Sequence, residues 1–310
     1  QELKDQVTPI TRRKMFKRKN KSLLTLRISA SILGFLFIVA LFQPFFYTVD
    51  PAASDLSMRL QSPSLGGALL GTDALGQDVY SRVIAGFRWS LGIGTVGTLL
   101  GCFIGITLGV SAAWNRKRLR IVLSRVIDIG ISFPYLIIAV TIVTVVGRGF
   151  WPLALTLGLV CWPTIARVVY AETLTLRERE YVTAARLFGI GSIRSIFTHI
   201  LPALRPTIQV VAAFTFAELL IAESGLSFLG LGAPLGTPTW GNMLNESRLY
   251  MESAPWMMFG PVTAIIVTIF AANLLAANLL ERRSVVFSFF SRSFGGCLDF
   301  AISLRDLRRT

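Results

Sequence analysis

The chain has 310 residues, of which 53% are apolar and 15% charged, and its 31 Lys and Arg against 17 Asp and Glu give a formal net charge of +14. A soluble domain carries about a quarter charged residues, so this composition excludes an ordinary water-soluble protein and points to a membrane. The basic excess is not a nucleic-acid footprint, because the Lys and Arg fall in short segments between apolar runs, a placement that orients a chain in a bilayer.

Six windows reach the roughly 20 apolar residues that cross a hydrocarbon core of about 30 Å: residues 23–47, 90–114, 126–146, 151–169, 207–229 and 256–280. They predict an all-α membrane protein with six transmembrane helices. The chain opens on Gln1, so an initiator residue is expected ahead of it. Residues 1–22 read as a basic N-terminal segment. Thr11-Arg12-Arg13-Lys14 ahead of an apolar run superficially suggests an export signal. That run is long, however, and Phe42-Gln43-Pro44-Phe45-Phe46 follows it in place of small cleavage-site residues, with five further spans behind. Residues 23–47 therefore read as a first transmembrane helix.

With the N-terminus inside, the inner segments hold 26 of the 31 basic residues. This asymmetry places both termini and the loop 171–206 on the cytoplasmic side. The outer loop 48–89 is long for a link between helices. Pro63-Ser64-Leu65-Gly66-Gly67 reads as a flexible reach, and residues 74–87 as a short helix with Asp73 near its positive end. Asp73 and Asp78 close to Arg82 and Arg88 read as salt-bridged groups rather than a metal site.

The core segment 90–280 contains the other five spans. Gly101, Gly105 and Gly109 recur every fourth residue after Gly92, Gly94 and Gly97, which puts a small-residue face where two helix backbones approach closely. Asp128, three residues after Arg125, reads as an intrahelical pair. Cys102, Cys161 and Cys297 read as small apolar side chains with no disulfide or metal spacing. His199 is the only histidine and is expected to pack or hydrogen-bond beside the Leu201-Pro202 turn. Glu218 and Glu223 lie in the fifth span, where an unpaired carboxylate is costly and turns to a cavity or a partner. Five residues apart, they cannot share one helix face. Glu218 reads either as lining a translocation path or as pairing structurally. Glu223, nearer the outer end, reads as a second candidate for the translocation path or as a group that only reaches interface water. The tail 281–310, with Phe287, Phe289, Phe290, Phe294 and Phe300, reads as an added interfacial segment or the product of a shifted reading frame.

No Gly-x4-Gly-Lys-Ser/Thr phosphate loop, Gly-x-Ser-x-Gly elbow or His-Glu-x-x-His helix occurs in the chain, so neither an enzyme nor a resident cofactor or metal is expected. Residues 175–190 of the inner loop read as one helix. The Ala184-Ala185 pair would permit close approach of another protein, Gly189 would supply a turn, and Pro202 would open the next span. Arg177, Glu178, Arg179, Glu180 and Arg186 would rim that contact.

Glu180-Tyr181-Val182-Thr183-Ala184-Ala185-Arg186-Leu187-Phe188-Gly189, continuing to Leu201-Pro202, closely resembles the cytoplasmic loop by which permease subunits of bacterial ATP-binding-cassette (ABC) importers grip their ATPase subunits. Gly71-Thr72-Asp73-Ala74-Leu75-Gly76-Gln77-Asp78-Val79-Tyr80-Ser81-Arg82 resembles the Gly-Thr-Asp-x-x-Gly-Arg-Asp-x-x-Ser-Arg segment of C-type permeases of dipeptide, oligopeptide and nickel importers. Ser227-Phe228-Leu229-Gly230-Leu231-Gly232 and Pro238-Thr239-Trp240-Gly241-Asn242 resemble their outer loop. Gln77 stands where that family has Arg, Thr183 where the older loop form has Glu and Ala203 where Asn is common, and the tail lacks the usual Gly-Asp-x-Leu-Arg-Asp ending.

The resemblance implies the type I ABC importer permease fold in a bacterial inner membrane. It also implies a second homologous permease, two ATPase subunits that use ATP and Mg, and an extracytoplasmic solute-binding protein as partners, beside membrane lipid and without nucleic acid. It makes Glu180, Tyr181, Thr183, Ala184, Ala185, Arg186, Gly189, Leu201 and Pro202 the ATPase-docking loop, and Asp73, Asp78 and Trp240 candidate contacts for the binding protein. The outer segment could equally cap its own bundle. The implied cargo is a peptide, with nickel or another small polar solute as the alternative. A secondary transporter, the more distant rival, would show paired inverted halves, and none is visible.

Overall fold

The computed structural model describes residues 9–280 except 65, 66, 116 and 235, and for 9–23 it describes the backbone alone. The tail 281–310 and two of the five residues of the expected flexible reach at 63–67 therefore lie outside the described residues. Regular structure among these residues is helical, and five helices are individually long and apolar enough to cross a membrane.

Helix α1 covers Pro9–Leu41 and gives way to a 3₁₀ turn, Gln43–Phe45. The first span thus stops short of Tyr47, because Pro44 cannot continue the α-helical bonding pattern. Helix α2, Val79–Trp114, has 36 residues and is about 54 Å long. The separate short helix expected over 74–87 is instead the outer end of this one element. Asp78, not Asp73, is its N-cap, accepting from the Ser81 backbone N–H, and Asn115 is its C-cap.

The third span is not straight. Helix α3, Lys117–Ser132, and helix α4, Tyr135–Val146, meet at 82°. Phe133 and Pro134 are non-helical, as expected where proline disfavours helical backbone in the residue before it. Helix α4, with 12 residues, reaches only about 18 Å, so it cannot cross the membrane alone. Asp128 also differs from expectation: it pairs with Arg167 of α5 at 3.1 Å rather than with Arg125. Helix α5 covers Phe150–Arg177, α6 covers Glu180–Leu187 and α7 covers Ser192–Ser195. A π-helical turn, Ile196–Ile200, leads into α8, Leu201–Phe228. Helix α9, Trp240–Ser247, and the last span α10, Trp256–Leu280, complete the described fold.

The core is the seam between α2 and α5, and the glycine stripe makes it. A methyl group at Gly101 would meet Cys161 Sγ at 2.3 Å, one at Gly105 would meet Ile165 at 2.8 Å, and one at Gly109 would meet the Ala166 carbonyl at 2.7 Å. No side chain fits at such distances, so dispersion contacts between backbones hold the pair in a setting where the hydrophobic effect offers little. Ile93, Leu153, Leu157, Ile165 and Leu219 are buried around it, and Cys102 and Cys161 are buried free thiols as expected.

Candidate functional site

The loop between α5 and α8 is built as a hinged bracket. Helix α5 ends at Arg177, whose Nη1 donates to the Ala113 carbonyl at the end of α2, at 2.8 Å. Such a contact satisfies a carbonyl that α2's own ladder leaves open. Glu178 and Arg179 break the helix expected over 175–190, and α6 restarts with Glu180 in its first turn and Arg186 in its last, both favourable to the helix dipole. The Arg186 guanidinium sits over the Trp114 ring at 4.2 Å. Two arginines thus fasten the loop to α2 as well as to α5.

Gly189 closes α6. Its φ is +79°, its N–H donates to the Arg186 carbonyl, and the Ile190 N–H donates to the Ala185 carbonyl, both at 3.0 Å. This is a Schellman ending, which calls for a residue at ease in the left-handed region. A methyl group there would meet nothing within 4 Å, so Gly189 serves backbone conformation and not close approach.

Of the alanine pair expected at the contact face, Ala185 is turned inward while Ala184 stays partly accessible. Ala185 is 7% exposed and Val182 is fully buried, both turned into the chain's own core, and Ala184 is half-buried. The outward surface consists of Leu187 at 83% exposure, Phe188 at 86%, Ile193, Phe197 and Tyr181. Sequence spacing missed Ile193 and Phe197. The signal was present in Ile193, Ile196, Phe197 and Ile200, apolar side chains interleaved with Ser192, Arg194, Ser195, Thr198 and His199. Glu180 and Thr183 are exposed at the rim, and Leu201 and Pro202 form the first turn of α8. His199 packs edge-on to Tyr181, ring centroids 6.2 Å apart.

At the opposite end, the three candidate binding-protein contacts Asp73, Asp78 and Trp240 are buried, an arrangement that fits the alternative in which the outer segment caps its own bundle. Asp73 forms an ion pair with the buried Arg82, which also reaches Glu246 at 2.8 Å. Asp78 accepts from Ser81 Oγ at 2.6 Å and Thr48 Oγ1 at 2.8 Å. Trp240 is fully enclosed, edge-on to Phe87 at 4.9 Å, and its Nε1–H donates to the Val83 carbonyl. These residues lock α9 onto α2. Gln77, the departure from the family pattern, donates to Ser54 Oγ at 2.9 Å, holding the outer segment to itself.

The two carboxylates of α8 separate cleanly. Glu218 is exposed. Glu223 is fully buried and accepts from Ser227 Oγ at 3.0 Å and Ser224 Oγ at 3.3 Å, so it does not reach interface water. No group of three or more metal-ligating side chains occurs among the described residues.

Residues 105–285 match the family described as binding-protein-dependent transport system inner membrane component. The dipeptide transport system permease protein DppC of Alkalihalophilus pseudofirmus is 32% identical over 278 residues, covering 89% of this chain and 91% of that protein. The nickel transport system permease protein NikC of Escherichia coli K12 is 35% identical over 258 residues, 83% of this chain and 93% of NikC. The di/tripeptide transport system permease protein DppC of Pseudomonas aeruginosa is 36% identical over 247 residues, 78% of this chain and 82% of that protein. With an all-helical membrane-spanning fold and matches over most of its length, the chain belongs to the family of binding-protein-dependent transport system inner membrane components and is an ABC importer permease.

Proposed function

We propose that this permease moves di- or oligopeptides into the cell as one half of a channel completed by a second, homologous permease. Two ATPase subunits would hydrolyse ATP with Mg, and an extracytoplasmic binding protein would deliver the cargo. The chain itself would bind neither cofactor nor metal and would catalyse nothing. The observation that carries this reading is the apolar surface of Leu187, Phe188, Ile193 and Phe197 on a loop fastened to both α2 and α5. An exposed apolar patch on a rigid, polar-rimmed element marks a protein contact, and force applied there would reach two spans at once. Glu218, the exposed carboxylate of α8, would face the path. The basic asymmetry supports cytoplasmic termini and a cytoplasmic loop.

The peptide assignment draws on relatives named for dipeptide and di/tripeptide transport. A relative named for nickel is equally similar, which keeps a nickel cargo as the second reading. Uptake of a radiolabelled dipeptide and of ⁶³Ni, measured in cells carrying or lacking the gene together with its neighbouring ATPase and binding-protein genes, separates the two. Gene-dependent dipeptide uptake is expected, and gene-dependent nickel uptake alone would reverse the assignment.

A further inference from the structure

A cavity of about 430 Å³ opens beside the loop, lined by Arg120, Leu174, Arg177, Glu178, Thr183 and Arg186. Helix α3, the end of α5 and α6 each contribute to it. Three arginines line this space with one acidic residue, Glu178, to set against them. Arg177 and Arg186 are held in place by the Ala113 carbonyl and the Trp114 ring. The Arg120 Nε is buried and has no hydrogen-bond partner. Burial first, and the Arg177 charge second, pull Arg186 below the usual arginine range. Like charges held together around a polar cavity, with a buried donor unmet, are complementary to an anion, and planar guanidinium forks suit the oxygens of a phosphate best.

The surroundings indicate where that phosphate comes from. Helix α3 begins at the cavity with Lys117, Arg118 and Arg120, and the same helix exposes Leu119, Ile121, Val122 and Val126. Basic side chains in the first turn of a helix that enters the membrane reach the headgroup level, and Trp114 at the end of α2 is the type of side chain found at that level. A basic cavity between helices at the membrane surface meets lipid phosphodiesters before any soluble anion. We propose that the cavity of Arg120, Arg177 and Arg186 binds the phosphate of an anionic phospholipid headgroup, tethering the loop to the bilayer. Only the leaflet rests on the orientation proposed above; the binding itself does not.

The test titrates the purified full-length chain in detergent with dihexanoyl-phosphatidylglycerol, dihexanoyl-phosphatidylcholine and inorganic phosphate. The phosphatidylglycerol should bind at least about tenfold tighter than the phosphatidylcholine, and Arg120→Gln should weaken it by about tenfold, the scale of one charge-assisted bond. Glu178→Gln, which removes the opposing carboxylate, should tighten it several-fold, a gain that misfolding does not produce. Equal binding of the two lipids, an unchanged Arg120→Gln or no gain in Glu178→Gln overturns the site. Inorganic phosphate binding as tightly as phosphatidylglycerol overturns the lipid assignment in favour of a soluble phosphate compound. None of these readouts involves cargo or uptake, so they fail independently of the importer reading.

Discussion

The Arg186 guanidinium lies 4.2 Å from the centroid of the Trp114 ring, joining the last turn of the loop helix α6 to the last residue of α2. Helix α2 is also the element whose glycine stripe packs α5. A displacement of α6 is therefore carried into the core seam by a direct contact, in addition to the covalent path through Glu178 and Arg179.

That contact should show as energetic coupling. Cation–π pairs contribute about 0.5–2 kcal/mol, so Trp114→Leu and Arg186→Ala should each reduce uptake, and the double variant should be little worse than either. Fully additive losses in the four-way cycle of uptake rates would show that the pair does not act as a unit.

The apolar loop surface makes a different prediction from the alanine pair. Leu187→Asp and Phe188→Asp, at positions more than 80% exposed, should leave expression and thermal stability within about 0.5 kcal/mol of wild type while abolishing co-purification of the ATPase subunits. Ala185→Arg, by contrast, forces a charge into the chain's own interior, and its defect should appear as loss of folded protein. Normal ATPase recovery with both surface variants would remove this face from the contact.

Gly189 tests the loop's backbone. With φ at +79° and open space around it, Gly189→Val should cost about 1–2 kcal/mol of loop stability, and Gly189→Asn less, because Asn tolerates the left-handed region. Hydrogen exchange at the Gly189 and Ile190 amides reports it, and equal protection in Val and Asn variants would contradict the Schellman assignment.

Arg82 makes the outer end dependent on charge balance. Arg82→Met leaves Asp73 buried without its partner, a change on the order of 3–5 kcal/mol, and the melting temperature of the detergent-solubilised protein should fall sharply. The double variant Arg82→Met with Asp73→Asn should recover much of the loss. If the double variant melts no higher than the single one, the ion pair is not the source.

Orientation is checked by labelling. Thr183→Cys, exposed on the loop, should resist a membrane-impermeant maleimide in intact cells and react in inverted vesicles. Labelling of intact cells would invert the topology.

The linear sequence by itself was enough for the class of protein. The apolar windows, the Lys and Arg gathered in segments between them and the every-fourth glycines are all local or compositional, and a helix's length, its small-residue face and the turn at Gly189 follow from such patterns. Pro134 was also a readable sign that the third span breaks, since it constrains its own neighbour. What the sequence left undecided was which neighbour covers each face. Ala185 and Phe188 lie three residues apart on or beside one short helix, yet one is buried and the other is 86% exposed, because the ends of α2 and α5 occupy only one side of α6. Asp128 had Arg125 within helical reach and took Arg167 instead. Asp73 and Trp240 looked available on an outer loop, and are enclosed because α9 folds down onto α2. Periodicity states that a helix has two faces. Only the packing of elements distant in sequence decides which face stays free for a partner.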